Sequence, residues 1–196
     1  MDHTTQNPAR RNFLGQMSVV TLSGAALALM DGDEAFAAKM KSKPSTTAND
    51  VGILNVALGL EHEAIAAYTL GAQSGLLPKG ALDLAVLFQS HHKAHRDALV
   101  GTIGKMGGKA VGEKTLAQYA TDLNAAAIKG PNDILELARR LELGAVNAYL
   151  GVIPSLNSKD LGKVAARLAA DETMHWTLLN NAMGGSVPAG ALSFGA

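Results

Sequence analysis

With 196 residues, 47% of them apolar, and a mean hydropathy of +0.11, the chain is long enough to form one domain with its own core. Its 17 basic residues balance 17 acidic ones without any Lys/Arg block suited to phosphate backbones, so nothing supports nucleic-acid binding. It has no cysteine, which excludes disulfides, thiolate metal sites, iron–sulfur clusters and cysteine nucleophiles, and leaves carboxylate and imidazole to carry any site chemistry.

Ala9-Arg10-Arg11-Asn12-Phe13-Leu14-Gly15 resembles a twin-arginine export signal and precedes a mildly apolar stretch at 17–30. Ala35-Phe36-Ala37 supplies a small-x-small cleavage pattern, so residues 1–37 read as a signal peptide and the mature chain begins near Ala38. Stable membrane insertion is not expected, because spanning a bilayer takes about 20 apolar residues and this stretch is shorter and contains Ser and Thr. The resemblance implies delivery to the periplasm by the twin-arginine translocase, which carries proteins already folded, commonly with a cofactor in place. For a metalloprotein that order has a physical logic. Divalent affinities rise from Mn and Fe towards Cu and Zn, so folding inside the cell can trap a weak binder before its competitors arrive. Cleavage removes Arg10 and Arg11 with Asp2, Asp31, Asp33 and Glu34, leaving the mature chain slightly basic.

Residues 38–49 are rich in Lys, Ser, Thr and Pro and read as a flexible linker. Asp50 is placed to cap a first long helix at 51–73, which ends before Gly75 and Pro78. A second helix at 81–106 is stopped by Gly107-Gly108. A third runs from Pro131-Asn132 to Pro154, and a fourth follows Ser158 and stops at Gly184-Gly185. The first and last pairs are joined by a few residues each, which makes antiparallel hairpins. The link at 107–130 is long and holds a short apolar pattern from Leu116 to Ala127. Short, long, short is the connectivity of an all-α antiparallel four-helix bundle with one long crossover between its second and third helices. The bundle occupies 50–185, and an apolar tail with Pro and Gly follows at 186–196.

The chain then repeats itself. Leu60-Glu61-His62-Glu63-Ala64-Ile65-Ala66-Ala67-Tyr68 returns as Leu141-Glu142-Leu143-Gly144-Ala145-Val146-Asn147-Ala148-Tyr149, so Glu61 matches Glu142 and Tyr68 matches Tyr149. Downstream, His92-Lys93-Ala94-His95 returns as Glu172-Thr173-Met174-His175. Glu61 lies in an otherwise apolar stripe with Leu54, Leu58, Ile65 and Tyr68, and a buried carboxylate is costly unless paired, protonated or bound to a cation. One such residue is usually solvated or satisfied in the core. Four helices that place Glu61, His92 and His95, Glu142, and Glu172 and His175 inward in a duplicated register point instead to a two-metal site. Against the repeat, His62 and Glu63 match Leu143 and Gly144, so they read as solvent-facing or supporting residues. His91 stays open as an alternative ligand, because it forms an i,i+4 pair with His95.

These residues resemble the ferritin-like superfamily, and more closely its exported ferritin-like domain proteins, over about residues 50–185. The superfamily pattern is Glu on the first helix, Glu-x-x-His on the second, Glu on the third and Glu-x-x-His on the fourth. Glu61, His95, Glu142, Glu172 and His175 match it, and Tyr68 stands where ferritins carry a tyrosine on the first helix. His92 departs from it, standing where the family has a carboxylate that usually bridges the metals. A neutral imidazole has one lone pair and no charge, so two divalent ions would meet only three carboxylates. The resemblance implies two metal ions, iron or manganese first and zinc or copper as alternatives, with dioxygen or peroxide as small oxidants. Tyr68 and Tyr149 would orient ligating carboxylates. A metal-storing or stress-protective envelope protein without turnover is the alternative function, and a polar-cored bundle without metal is the plain one. A homo-oligomer is compatible with the chain.

Overall fold

Among the described residues every regular element is helical: α1 at Thr46–Gln73, α2 at Lys79–Lys105, α3 at Leu116–Asp122, α4 at Pro131–Val152 and α5 at Lys159–Ala182. The structure is a computed structural model and describes residues 46–192 and 194. The twin-arginine signal, its cleavage site and most of the linker fall outside these residues. None of the described helices is long and apolar enough to cross a membrane.

Local chemistry sets the ends. Pro131 opens α4, and Asp133 reaches back so that its Oδ2 accepts from the Lys129 and Gly130 amides at 2.8 and 3.0 Å. Thr115 and Gln118 exchange side-chain and backbone hydrogen bonds around the start of α3. Both hairpins close on the same tripeptide, Met106-Gly107-Gly108 after α2 and Met183-Gly184-Gly185 after α5. Gly107 and Gly184 sit at φ 75° and 80°, which lets the next amide donate back to the Ile103 and Asn180 carbonyls at 2.9 and 2.8 Å.

Asp50 does not cap the first helix. That helix begins at Thr46, and Asp50 lies buried in its second turn, where it accepts from the Asn157 and Ser158 amides at 2.9 and 3.1 Å. The carboxylate ties α1 to the start of α5.

Contacts between helices fix their directions. Gln89 Nε2 donates to Thr69 Oγ1 at 2.7 Å towards one end and Gly108, just past α2, meets Val51 at the other, so α2 is antiparallel to α1; Gly71 approaches Ile134 so closely that an added Cβ would meet it at 2.9 Å. That last contact places the start of α4 beside the end of α1. Since α2 finishes at the opposite end, near Val51 and Gly108, the chain must travel the bundle's length before α4 can begin. The crossover lies along α1, with Tyr119 and Leu123 packed on Ala66 and Leu137.

The bundle interior has three layers. One end is apolar, built on Leu54, Leu58, Leu99, Ile103 and Leu168. The other is also apolar, around Ala85, Phe88, Ala138 and Leu179. Each fully buried Leu, Ile or Phe contributes about 1.5–3 kcal/mol, and the two layers keep water from the stretch between them. That stretch is polar.

Candidate metal centre

Glu61 from α1, His92 and His95 from α2, Glu142 from α4, and Glu172 and His175 from α5 meet in the middle layer, all between 0 and 7% exposed. Their apolar neighbours at helical spacing turn these faces inward, and the duplicated register puts all six at one level. His92 Nδ1 lies 2.8 Å from Glu61 Oε2, while its Nε2 lies 3.2 Å from Glu142 Oε1. Glu172 divides its oxygens. Its Oε2 is 3.0 Å from His175 Nδ1 and its Oε1 is 3.1 Å from His95 Nδ1.

The donor atoms fall into two sets. Glu61, His92, His95 and Glu172 form one, and His92, Glu142, Glu172 and His175 form the other, with the ligand atoms of each set within 4.8 Å of one another. Either set could hold a metal ion. His95 Nδ1 and Glu172 Oε1, though 3.1 Å apart, are both buried without a properly directed hydrogen bond. Two buried ligand atoms left without a hydrogen bond, inside a set of four, fit a cation.

The two tyrosines cross over: Tyr68 donates to Glu142 Oε1, and Tyr149 donates to Glu61 Oε1. Their own-helix carboxylates lie seven residues away, about 10 Å along the axis, whereas the antiparallel neighbour brings the other carboxylate level with the hydroxyl. Phe88 stacks on His175 with ring centroids 4.1 Å apart, which limits how that imidazole can turn.

The site balances its charge with protons. Burial alone would raise the Glu61 carboxyl, but the hydrogen bond from His92 and the positive charges of His92 and His95 outweigh it and hold it at about 2. Glu142 is likewise held well below the usual carboxylate range, with burial overcome by His175 and His92. Burial wins at Glu172, which is raised despite His175 and His95, with Glu142 adding to the rise. Burial disfavours the three imidazolium forms, yet the carboxylates prevail: His95 is pushed up to about 10, and His92 and His175 are raised as well. Imidazolium protons therefore occupy the electrostatic role a divalent cation would take.

His91 lies outside both sets. It is exposed, and its Nδ1 is 2.9 Å from His175 Nε2, on the side of that ring facing away from the carboxylates. His62 and Glu63 are not solvent-facing. They are 7% and 6% exposed, because the crossover covers their side of α1, and His62 Nε2 lies 3.3 Å from the Val111 carbonyl. The geometric need for a crossover running along α1 was the available signal. Asp171, which the sequence reading passed over, lies 3.2 Å from His95 Nε2, one position before Glu172.

A four-helix bundle with one long crossover and a buried carboxylate–imidazole cluster spread over all four helices defines the class: a helical-bundle protein with a core suited to metal. The ferritin-like domain family matches residues 49–185, and the chain belongs to that family, whose members often bind metals. A solved structure from Mycobacterium tuberculosis, described as a conserved hypothetical protein, rv2844, is similar in fold, with a TM-score of 0.59 at 22% identity over 72% of this chain and 99% of that one. Comparison with curated proteins gave no match.

Proposed function

We propose that this chain is a periplasmic metalloprotein that holds two ions of iron or manganese in the bundle core and performs redox chemistry on dioxygen, peroxide or the metal itself. The observation that carries the reading is the pair of four-residue donor sets sharing His92 and Glu172. Glu61 and His95 would serve one ion and Glu142 and His175 the other, with the divided carboxylate of Glu172 reaching both. His92 faces one set with each ring nitrogen, but as a neutral imidazole it has one lone pair to give. When bound, such a metal pair would pass electrons to dioxygen or peroxide, its own ions being oxidised in the exchange.

The protein's own groups prepare the site. Tyr68 and Tyr149 orient the two carboxylates, the apolar layers exclude bulk water, and His91 and Asp171 connect two of the imidazoles to the surface. The Arg10-Arg11 motif supports export in the folded state, with the metal chosen inside the cell.

Elemental analysis of protein purified from the periplasm, followed by oxidant assays on iron- and manganese-loaded protein, tests the reading. Two ions per chain with rapid consumption of hydrogen peroxide or dioxygen are expected. Reversible uptake without turnover would make it a metal-buffering protein instead, a reading favoured by the loss of one negative charge at His92. Neither iron nor manganese in the native protein would overturn the proposal.

A further inference from the structure

The duplicated register reaches one residue beyond the donor sets. His91-His92-Lys93-Ala94-His95 on α2 aligns with Asp171-Glu172-Thr173-Met174-His175 on α5, so His91 stands where the second copy has Asp171. The two are placed alike. Asp171 Oδ2 lies 3.2 Å behind His95 Nε2, and His91 Nδ1 lies 2.9 Å behind His175 Nε2. In both cases Nδ1 of the buried ring faces the carboxylates, and Nε2 faces a residue on the opposite helix, one position before that helix's inward pair. Both outer partners reach the surface, His91 exposed and the Asp171 side chain 44% exposed.

A ring that gives its Nδ1 lone pair to a cation keeps its hydrogen on Nε2 and donates it to the group behind. A carboxylate there holds the ring by charge and raises its basicity as a ligand. An imidazole offers a lone pair alone, and His175 is steadied mostly by stacking, on Phe88 at 4.1 Å and His91 at 5.2 Å. Thus α2 supplies histidine where α5 supplies acid both inside the site and directly behind it.

Building on the two-ion reading above, we infer that His91 is the positioning residue of His175 and makes the Glu142–His175 half the weaker, exchangeable metal position. The Glu61–His95 half, backed by Asp171, is the tighter one. With no carboxylate behind its histidine, the Glu142–His175 half exchanges first.

Cobalt(II) titration of metal-free protein, followed by visible ligand-field absorption and chelator competition, separates the halves. Wild type should take up two equivalents in steps differing at least about tenfold in affinity. Asp171→Asn should weaken the first step about 10- to 100-fold, the usual effect of removing a carboxylate behind a ligating histidine. His91→Ala should speed loss of the second ion about tenfold or more and alter its absorption band, with the first step unchanged. His91→Asp should rescue the band and narrow the gap between steps. Two equal steps in wild type, or a second step indifferent to His91→Ala, would sink this inference and leave the two-ion reading standing. Uptake of one ion or none would sink both.

Discussion

The Tyr68 hydroxyl donates to the Glu142 carboxylate across the α1–α4 contact, and Tyr149 returns the equivalent bond to Glu61. Both hydroxyls have pKa values raised by burial and by the carboxylates beside them, so each remains a donor throughout the working range. A hydrogen bond to a buried charged group contributes about 1.5–3 kcal/mol, and each Tyr→Phe change should cost that much in urea unfolding of the metal-free protein. His92 touches both carboxylates, so the two losses should couple by about 0.5 kcal/mol or more. Strict additivity would show that the two bonds do not share a network.

The imidazoles predict how the metal-free protein responds to pH. His95 is raised from 6.5 to about 10, so its stabilisation is complete below pH 6.5 and is lost as pH rises towards 10. Glu61 is lowered from 4.5 to about 2, so its contribution is present above pH 4.5 and is lost as pH falls towards 2. Raised Glu172 and Glu63 add to the decline above pH 4.5. Melting temperature in chelator should therefore peak between about pH 4.5 and 6.5. Metal affinity should run the other way, climbing from pH 6 to 9 as imidazolium protons become easier to displace. A melting temperature that rises from pH 6.5 to 9 in chelator would mean that the imidazoles are neutral.

Glu63 offers a test away from the centre. Burial under the crossover raises it to about 7, and its Oε1 has no hydrogen-bond partner. At pH 8 the folded chain must hold this charge out of water, so Glu63→Gln should stabilise it by about 1–3 kcal/mol, with the gain vanishing below pH 4.5. Chemical denaturation at pH 8 and pH 4 checks both halves. Equal effects at the two pH values would point to packing rather than charge.

The long helices were legible because their apolar stripes and Gly-Gly stops are local signals, and the predicted ends at 73, 106 and 154 fall within a few residues of those observed. The six inward residues were legible because a duplicated register repeats only where both copies face the same interior. What escaped the sequence was contact between elements distant along the chain. Asp50 looked like a cap because acids favour helix starts, yet its partners are more than a hundred residues away at Asn157 and Ser158. Glu63 reads as solvent-facing or supporting because nothing in its own helix buries it; the crossover does. The exchange of partners between Tyr68 and Tyr149 follows only once α1 and α4 are known to be antiparallel neighbours.

Export can be tested without touching the fold. Changing Arg10-Arg11 to Lys-Lys keeps the charge and removes the guanidinium pair on which the resemblance to a twin-arginine signal rests. Precursor should accumulate in the cytoplasm, visible by fractionation and by its uncleaved mass. Normal periplasmic accumulation would rule out this route.

His92 is the sharpest lever, because it is 1% exposed and within 2.8–3.7 Å of all three carboxylates of the site, Glu61, Glu142 and Glu172. His92→Glu removes the imidazolium that holds Glu61 and Glu142 ionised and adds a fourth acid to a layer closed to water. Breaking a buried charge pair costs about 3–5 kcal/mol, so the metal-free variant should be strongly destabilised. Metal should reverse the effect, since four carboxylates balance two divalent ions where three do not, and oxygen donors favour the ferric state. Melting temperature should therefore become steeply dependent on added iron, iron content should approach two per chain, and oxygen-dependent iron oxidation should appear or accelerate. If His92 instead suits the site to another metal, the variant should lose affinity for that metal and gain no oxidase activity. Unchanged metal content and oxygen uptake would show that His92 does not touch the metal, and the sharing of His92 between the two donor sets would then carry no functional weight.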